Sequence, residues 1–108
     1  MPFEYENMPG CYKDILMLAH MLHRSMIPHE LSMTAYNGWC IEIYPLGGYC
    51  PGRREFVLIQ DDHSKKKSGH DIEFITDSGT EILDDDGCFD RIQRWWTDEY
   101  GKSQENDA

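Results

Sequence analysis

Apolar residues recur along the chain with two different periods, and these predict which segments are helices and which are strands. From Tyr12 to Met26 they fall on one helical face, and Pro28 ends that helix. The face comprises Ile15, Leu18, Ala19, Leu22 and Met26. A second helix opens at Asp84–Asp86, where aspartates suit the first turn, and ends at Tyr100–Gly101.

Two β-prone runs, Leu31–Tyr36 and Trp39–Tyr44, flank the dipeptide Asn37-Gly38. Asn-Gly favours a two-residue type I′ turn, because both central residues of that turn need positive φ. This turn places Tyr36 opposite Trp39 and leaves apolar side chains on both faces of the hairpin. We expect one face to pack on the helices, and the other to bury against a second subunit or to line a ligand site.

The rest of the pattern predicts a small α+β domain. Glu55–Gln60 reads as an inner strand, Asp71–Thr76 as a fourth strand, and Glu81–Leu83 as a short extended piece after a turn. The predicted order is α-β-β-β-β-α: an antiparallel sheet of about four strands with both helices on one face. Residues 1–101 form this single domain, and residues 102–108 are predicted to be a disordered tail.

Charge is unevenly distributed over the 108 residues, whose net charge is −10. Residues 1–70 carry eight acidic and seven basic residues, whereas residues 71–108 carry twelve and three. Such an acidic region repels nucleic acid, because phosphate binding needs clustered Lys and Arg, and it attracts basic protein surfaces. The candidate residues for binding a basic partner are Asp84, Asp85, Asp86, Asp90, Asp98 and Glu99. A purely solubilising role is the simpler alternative.

The cysteines predict free thiols rather than disulfides. They are Cys11, Cys40, Cys50 and Cys88, with no C-x-x-C pair among them. The N-terminal segment MPFEYENM is acidic, where a secretion signal would be basic. The longest apolar stretch, Ile15–Leu22, is too short to span a bilayer. We therefore expect a soluble protein of the cytoplasm, with no membrane partner.

No residue pattern in the chain predicts catalysis or metal binding. The most metal-like grouping is His20, His23 and His29. It lacks the spacings typical of zinc sites, so we predict no metal. Cys50 could pair with His63 or His70, but no nucleophile motif accompanies them. No phosphate-binding glycine motif of a nucleotide-hydrolysing or dinucleotide-binding enzyme occurs, and the prediction is a non-enzyme without cofactors.

The loop LGGYCPGRR, residues 46–54, is the best candidate for binding a small ligand. Its glycines permit close backbone approach, its arginines suit phosphate oxygens, and nearby aromatic rings could stack on a base. The predicted ligand residues are Arg53, Arg54, Tyr49, Trp39, Lys65, Lys66 and Lys67. In the alternative interpretation, the two arginines pair with the acidic third and the lysines form a solvated loop tip.

Four stretches of sequence carry a resemblance to a known family. They are IPHEL (27–31), NGWCIEIYP (37–45), VLIQ with DIEFI (57–60 and 71–75), and LDDDGCFDRIQRWW (83–96). Together they resemble small proteins encoded by phages and prophages of Firmicutes, over about residues 12–96. The lysine run and the acids at 84–86 depart from that pattern. The resemblance implies a viral setting, in which small non-enzymatic proteins counter host defence, and it carries no catalytic signature.

Two mechanisms fit this setting. In the first, the protein sequesters a small nucleotide signal of the host defence through the predicted ligand residues. In the second, the acidic residues imitate DNA and block a nucleic-acid-binding effector, as some anti-CRISPR proteins do. The near-neutral N-terminal two-thirds and the Gly-Tyr-Arg-Arg loop slightly favour the first, and the total charge favours the second. A structural or regulatory phage component is the third possibility.

We predict a homodimer or higher oligomer, with hairpin residues or Trp95 and Trp96 at the interface. The reason is that two helices can cover only one face of the sheet. Light scattering at micromolar concentration checks this prediction, and a mass of about 12.7 kDa would contradict it.

Overall fold

A computed structural model describes residues 12–44, 54–63 and 72–106, with side chains described as far as Glu99. The elements in chain order are α1 (Lys13–Arg24), β1 (Glu30–Met33), β2 (Trp39–Ile43), β3 (Phe56–Gln60), β4 (Ile72–Thr76), β5 (Gly79–Leu83) and α2 (Asp85–Asn106). The five strands form one antiparallel sheet in the order of the sequence. The α+β prediction is confirmed, with one strand more than the four expected.

The additional strand is β5, which replaces the predicted turn and short extended piece. It pairs with β4 through a tight hairpin in which Thr76 lies opposite Gly79. The Thr76 hydroxyl accepts a hydrogen bond from the Ser78 amide at 3.1 Å, which stabilises the turn. Because β5 is a largely exposed edge strand, its apolar pattern is too weak to predict its full length.

Both helices pack on one face of the sheet. α1 contacts β2 and β3, α2 contacts β4 and β5, and the helices contact each other. The sheet contributes the apolar side chains that alternate toward the helices, and several of these are fully buried. The buried sheet residues are Ile41, Ile43, Leu58, Ile72 and Phe74. They meet the buried helix residues Ile15, Leu18, Ala19, Leu22, Cys88 and Ile92.

The predicted register of the first hairpin is wrong. Met33, not Tyr36, lies opposite Trp39, and Leu31 lies opposite Ile41. The connection is therefore a five-residue loop, 34–38, instead of a two-residue type I′ turn. An odd shift moves side chains to the other face, so Leu31 and Met33 share the helix-side face with Ile41.

Three sets of contacts explain this longer loop. The Thr34 hydroxyl accepts hydrogen bonds from the amides of Tyr36 and Gly38, both at 3.2 Å. The Asp62 amide donates to the Tyr36 carbonyl at 2.9 Å, which holds the loop against the end of β3. Only Asn37 has positive φ in this loop, whereas a type I′ turn requires two such residues. Gly38 is needed for a different reason: a β-carbon there would overlap the backbone of Asp61.

α1 ends in a Schellman motif without glycine. Met26 has a φ of 58° and donates its amide to the His23 carbonyl, while the Ile27 amide reaches the Leu22 carbonyl. Ile27 and Leu22 are both buried, which supplies the apolar contact typical of this motif. Met26 itself is 84% exposed, so nothing in its burial offsets the cost of a left-handed backbone.

The C-terminal helix is longer than predicted. It continues to Asn106, so residues 102–106, predicted as part of a disordered tail, extend α2; Gly101 is tolerated inside it. Trp95 packs edge-on against Phe56, with ring centroids 5.2 Å apart, and Trp96 is also partly buried against the core. Neither is therefore a fully exposed anchor for a second subunit. In the described part of the chain, no helix is long and apolar enough to cross a membrane.

Replacing Met26 by Gly should stabilise the protein by about 0.5–1 kcal/mol, because glycine adopts positive φ without steric cost. The midpoint of urea denaturation measures this change. Ser25→Gly is the matched control, since Ser25 has a φ of −89° and gains nothing from glycine. A Met26→Gly protein no more stable than the Ser25→Gly protein would contradict the prediction.

Candidate protein-binding site at the acidic end

Both helices begin at the same end of the sheet. α1 begins beside the end of β3, where the buried Gln60 side chain accepts a hydrogen bond from the Ile15 amide at 3.0 Å. α2 begins directly after β5, which runs parallel to β3 because β4 is antiparallel to both. The two helix N-termini, which carry partial positive charge, thus lie at the same end of the sheet.

Carboxylates from three separate segments lie at this end of the sheet. Asp14 lies in the first turn of α1, Asp61 and Asp62 follow β3, and Asp84–Asp86 open α2. Asp14 is close enough to Asp85 to disfavour its ionisation, which links the two helix starts. We call this surface the acidic end, and its members are Asp14, Asp61, Asp62, Asp84, Asp85 and Asp86. Among the described residues of these segments, Lys13 is the one Lys or Arg.

Aromatic side chains border the acidic end. The Tyr12 hydroxyl donates a hydrogen bond to Asp62. Burial, together with the Asp62 and Asp61 carboxylates, raises the pKa of Tyr12 to about 12, so the hydroxyl stays protonated and remains a donor. The rings of Tyr36 and His63 lie against each other with centroids 3.8 Å apart. Tyr36 is about half exposed, which leaves an aromatic surface beside exposed Asp62.

The carboxylates of the acidic end also have structural roles. Asp61 is buried and accepts a hydrogen bond from the His63 amide at 3.0 Å. Asp84 caps α2 by accepting a hydrogen bond from the Gly87 amide at 2.7 Å. Asp62, Asp84 and Asp86 are exposed. These three are the members that a partner can contact directly.

Negative charge on Asp85 is costly in the folded protein. Its partial burial raises the pKa of this carboxyl, and the neighbouring Asp86 and Asp14 carboxylates raise it further. Ionising Asp85 in the folded protein therefore costs more than in the unfolded chain.

The other predicted acidic residues lie away from this edge. Asp90 forms an ion pair with Arg94 at 3.0 Å on the exposed side of α2. Asp98 and Glu99 are at least thirteen residues beyond Asp85, about 20 Å along the helix axis. Of the six acidic residues predicted from the sequence, the structure thus brings together Asp84–Asp86 and adds Asp14, Asp61 and Asp62.

The predicted nucleotide-binding residues are not assembled in the described part of the chain. Trp39 is half-buried on the helix side of the sheet, at the end where β2 begins. Arg54 forms an ion pair with Glu42, which lies on the opposite face and near the other end of β2. The remaining predicted ligands lie outside the described residues: Tyr49, Arg53, Lys65, Lys66 and Lys67.

The two described cysteines are poor nucleophiles. Burial raises the pKa of the Cys40 thiol to about 11, with a further contribution from Glu42, and raises that of Cys88 to about 12. Both therefore stay protonated at neutral pH, and a protonated thiol does not attack. Cys11, Cys50 and His70 lie outside the described residues. Within those that are described, no three His, Cys, Asp or Glu side chains group in a way that could hold a metal ion.

Sequence reasoning missed Asp14, Asp61 and Asp62 as members of the acidic end, and Tyr36 as an aromatic side chain at its border. Asp61 and Asp62 follow a predicted inner strand, and Asp14 lies in the first turn of a predicted helix. The missing information was the strand order, since a simple meander places the end of β3 beside the end of β5. Asp62 and Asp84, at those two ends, would then be expected on one edge.

Asp85→Asn should make stability less dependent on pH. Because the folded-state pKa of Asp85 is raised, its contribution favours folding at low pH and is lost as pH rises through that raised pKa. The asparagine variant removes this loss, so its free energy of unfolding should exceed that of the parent protein more at neutral than at acidic pH. Urea denaturation over a pH series measures this, with Asp77→Asn as control, because Asp77 is exposed in the β4–β5 turn at the other end of the sheet. An equal difference at every pH would contradict the assignment.

Comparison with known proteins gives no relative from which to assign a family: no protein-family model, curated protein or solved structure matches the chain.

Proposed function

We propose that this chain is a non-catalytic binding protein whose acidic end covers a basic, nucleic-acid-binding surface of another protein. The observation that carries the proposal is the convergence of three acidic segments at the edge where both helices begin. A concentrated negative field of this kind steers and holds a positively charged partner. This is the DNA-imitating mechanism, with a set of acids different from the one the sequence suggested.

The chemistry of the acidic end favours arginine in the partner. Arginine forms paired hydrogen bonds with carboxylates and also stacks on aromatic rings. Exposed Asp62 lies next to Tyr36 and His63, so a guanidinium group can contact a carboxylate and an aromatic surface together. Arginines that contact DNA phosphates have this same combination of charge and planarity.

The biological setting belongs to the proposal as well. The resemblance to small phage and prophage proteins supports a counter-defence role, with a host defence effector as the target in the bacterial cytoplasm. The protonated thiols of Cys40 and Cys88 support binding without catalysis. The proposed inhibitor therefore acts by occupying a surface and needs no cofactor.

Nucleotide sequestration is the competing proposal, and the described residues support it less well. Arg54 would have to leave Glu42 to reach a phosphate, and Trp39 lies on the other face of the sheet. A nucleotide panel distinguishes the two proposals. Sequestration predicts that the protein depletes one nucleotide and releases it intact after heat denaturation, and that Arg54→Ala weakens the capture.

The acidic end should displace duplex DNA from an arginine-rich, DNA-binding peptide. Replacing Asp62, Asp84 and Asp86 by Asn should raise the concentration needed for half displacement by about tenfold or more at about 0.1 M salt, because exposed charge dominates this contact. Asparagine also caps helices well, so the Asp84 change should leave the fold intact. Fluorescence anisotropy of labelled DNA measures the displacement.

The matched control removes the same number of charges elsewhere, with Glu55→Gln, Asp77→Asn and Asp98→Asn. Glu55 and Asp77 lie at the opposite end of the sheet, and Asp98 lies in the second half of α2, so all three are away from the acidic end. The control variant should displace DNA nearly as well as the parent protein. Equal losses in the two triple variants would mean that net charge alone acts, and the acidic end would no longer be the site.

A further inference from the structure

The second face of the sheet is not covered by either helix. The strand pairings place two rows of side chains on it. One row is Ser32, Cys40, Ile59, Glu73 and Ile82; the other is Glu30, Glu42, Val57, Ile75 and Thr80. We call this surface the open face.

The middle of the open face is apolar. Apolar side chains are direct neighbours from β2 to β4, and Ile82 on β5 lies diagonal to Ile75. All are at least partly exposed, with Ile82 reaching 46%. They are Cys40, Val57, Ile59, Ile75 and Ile82. The band crosses three strand spacings, which is about 14 Å. On a sheet face exposed to water, polar side chains normally occupy these positions. A band of apolar side chains there indicates a contact surface.

Among the described residues, the charged side chains around this band are glutamates, apart from one arginine. Glu73 lies between Ile59 and Ile82 in the register, and Glu30 and Glu42 lie at the β1 side. Arg54 is the one described cation paired with this face, and it already contacts Glu42. A partner must therefore combine apolar side chains with positive charge beside them.

A second copy of this chain does not meet that requirement. Packing two open faces together would bury Glu30, Glu42 and Glu73 of both copies in one interface, between two chains of net charge −10. Like charges brought together in a partly desolvated interface oppose association. The charge pattern thus favours a partner of opposite charge at this face, in place of the second subunit that the sequence pattern predicts there.

We propose that the open face docks an amphipathic basic helix of a partner protein. A band of about 14 Å matches nine or ten helical residues, enough for three apolar side chains at i, i+3 or i+4, and i+7. Lys or Arg on the flanks of that helix would meet Glu73 on one side and Glu30 with Glu42 at the end. The sheet would then have helices on both faces. This proposal rests on the apolar band and is independent of the acidic end.

The experiment uses a synthetic fourteen-residue peptide with leucines on one helical face and arginines on the rest, and a scrambled peptide of the same composition. We expect the helical peptide to bind the full chain at least about tenfold more tightly than the scrambled one, because only the former presents a continuous apolar stripe. Labelled peptides and fluorescence anisotropy give both affinities. Equal binding of the two peptides would reduce the interaction to net charge and overturn the proposal.

Two variants locate the contact. Ile82→Lys, at an exposed position on the open face, should weaken binding of the helical peptide by about tenfold, because it places a positive charge in the band. Met33→Lys is the matched control, because Met33 is also exposed but lies on the helix side of an edge strand. The affinity of this variant for the helical peptide should equal that of the parent protein. Equal losses from both variants would overturn the proposal. Circular dichroism confirms that each variant is folded.

Two further arms distinguish the other occupants. If a second copy covers the open face, light scattering gives a dimer that Ile82→Lys converts to a monomer, and the proposal fails. The variant with Asn at positions 62, 84 and 86 should still prefer the helical peptide to the scrambled one. Loss of that preference would mean that the acidic end, not the open face, binds the peptide.

Discussion

The buried side chain of Gln60 connects the first helix to the middle of the sheet. The first turn of a helix has amide groups without partners, and Tyr12 at the start of α1 provides no side-chain cap. Gln60 reaches from the central strand and accepts a hydrogen bond from the Ile15 amide inside the core. A buried amide left without this partner would cost about 1–3 kcal/mol, which fixes where α1 begins relative to β3.

This position of α1 determines the electrostatics of the whole edge. With α1 starting beside β3 and α2 starting after β5, two helix dipoles present their positive ends together. Aspartates at both helix starts offset that field, and Asp84 also caps α2. The compensation has a cost, since burial makes Asp85 harder to ionise and the nearby Asp86 and Asp14 carboxylates add to this effect. The acidic end is therefore a structural consequence of two parallel helices and also a surface with strong charge.

The helical period and the proline at position 28 were sufficient to predict α1, and the apolar run of β3 predicted an inner strand. The hairpin register was wrong because Asn37-Gly38 matches a turn signal while the glycine serves another purpose. Gly38 allows the loop to approach Asp61, a contact between segments more than twenty residues apart that local sequence does not reveal. The acidic end was only partly predictable for the same reason. Asp84–Asp86 are adjacent in sequence, but only the strand order places Asp62 at the same end of the sheet.

The open face and the acidic end adjoin each other at Cys40. Burial raises the pKa of this thiol, which lies in the apolar band, and Glu42 of the open face and Asp61 of the acidic end raise it further. Negative charge thus borders the band at the end where both helices begin, and Glu30 and Glu42 border it at the β1 side. A basic partner that approaches the acidic end therefore also reaches the apolar side chains that begin at Cys40 and Ile59. Long-range attraction and apolar burial can therefore act on one partner in succession, with charge setting the rate of approach and the band slowing release.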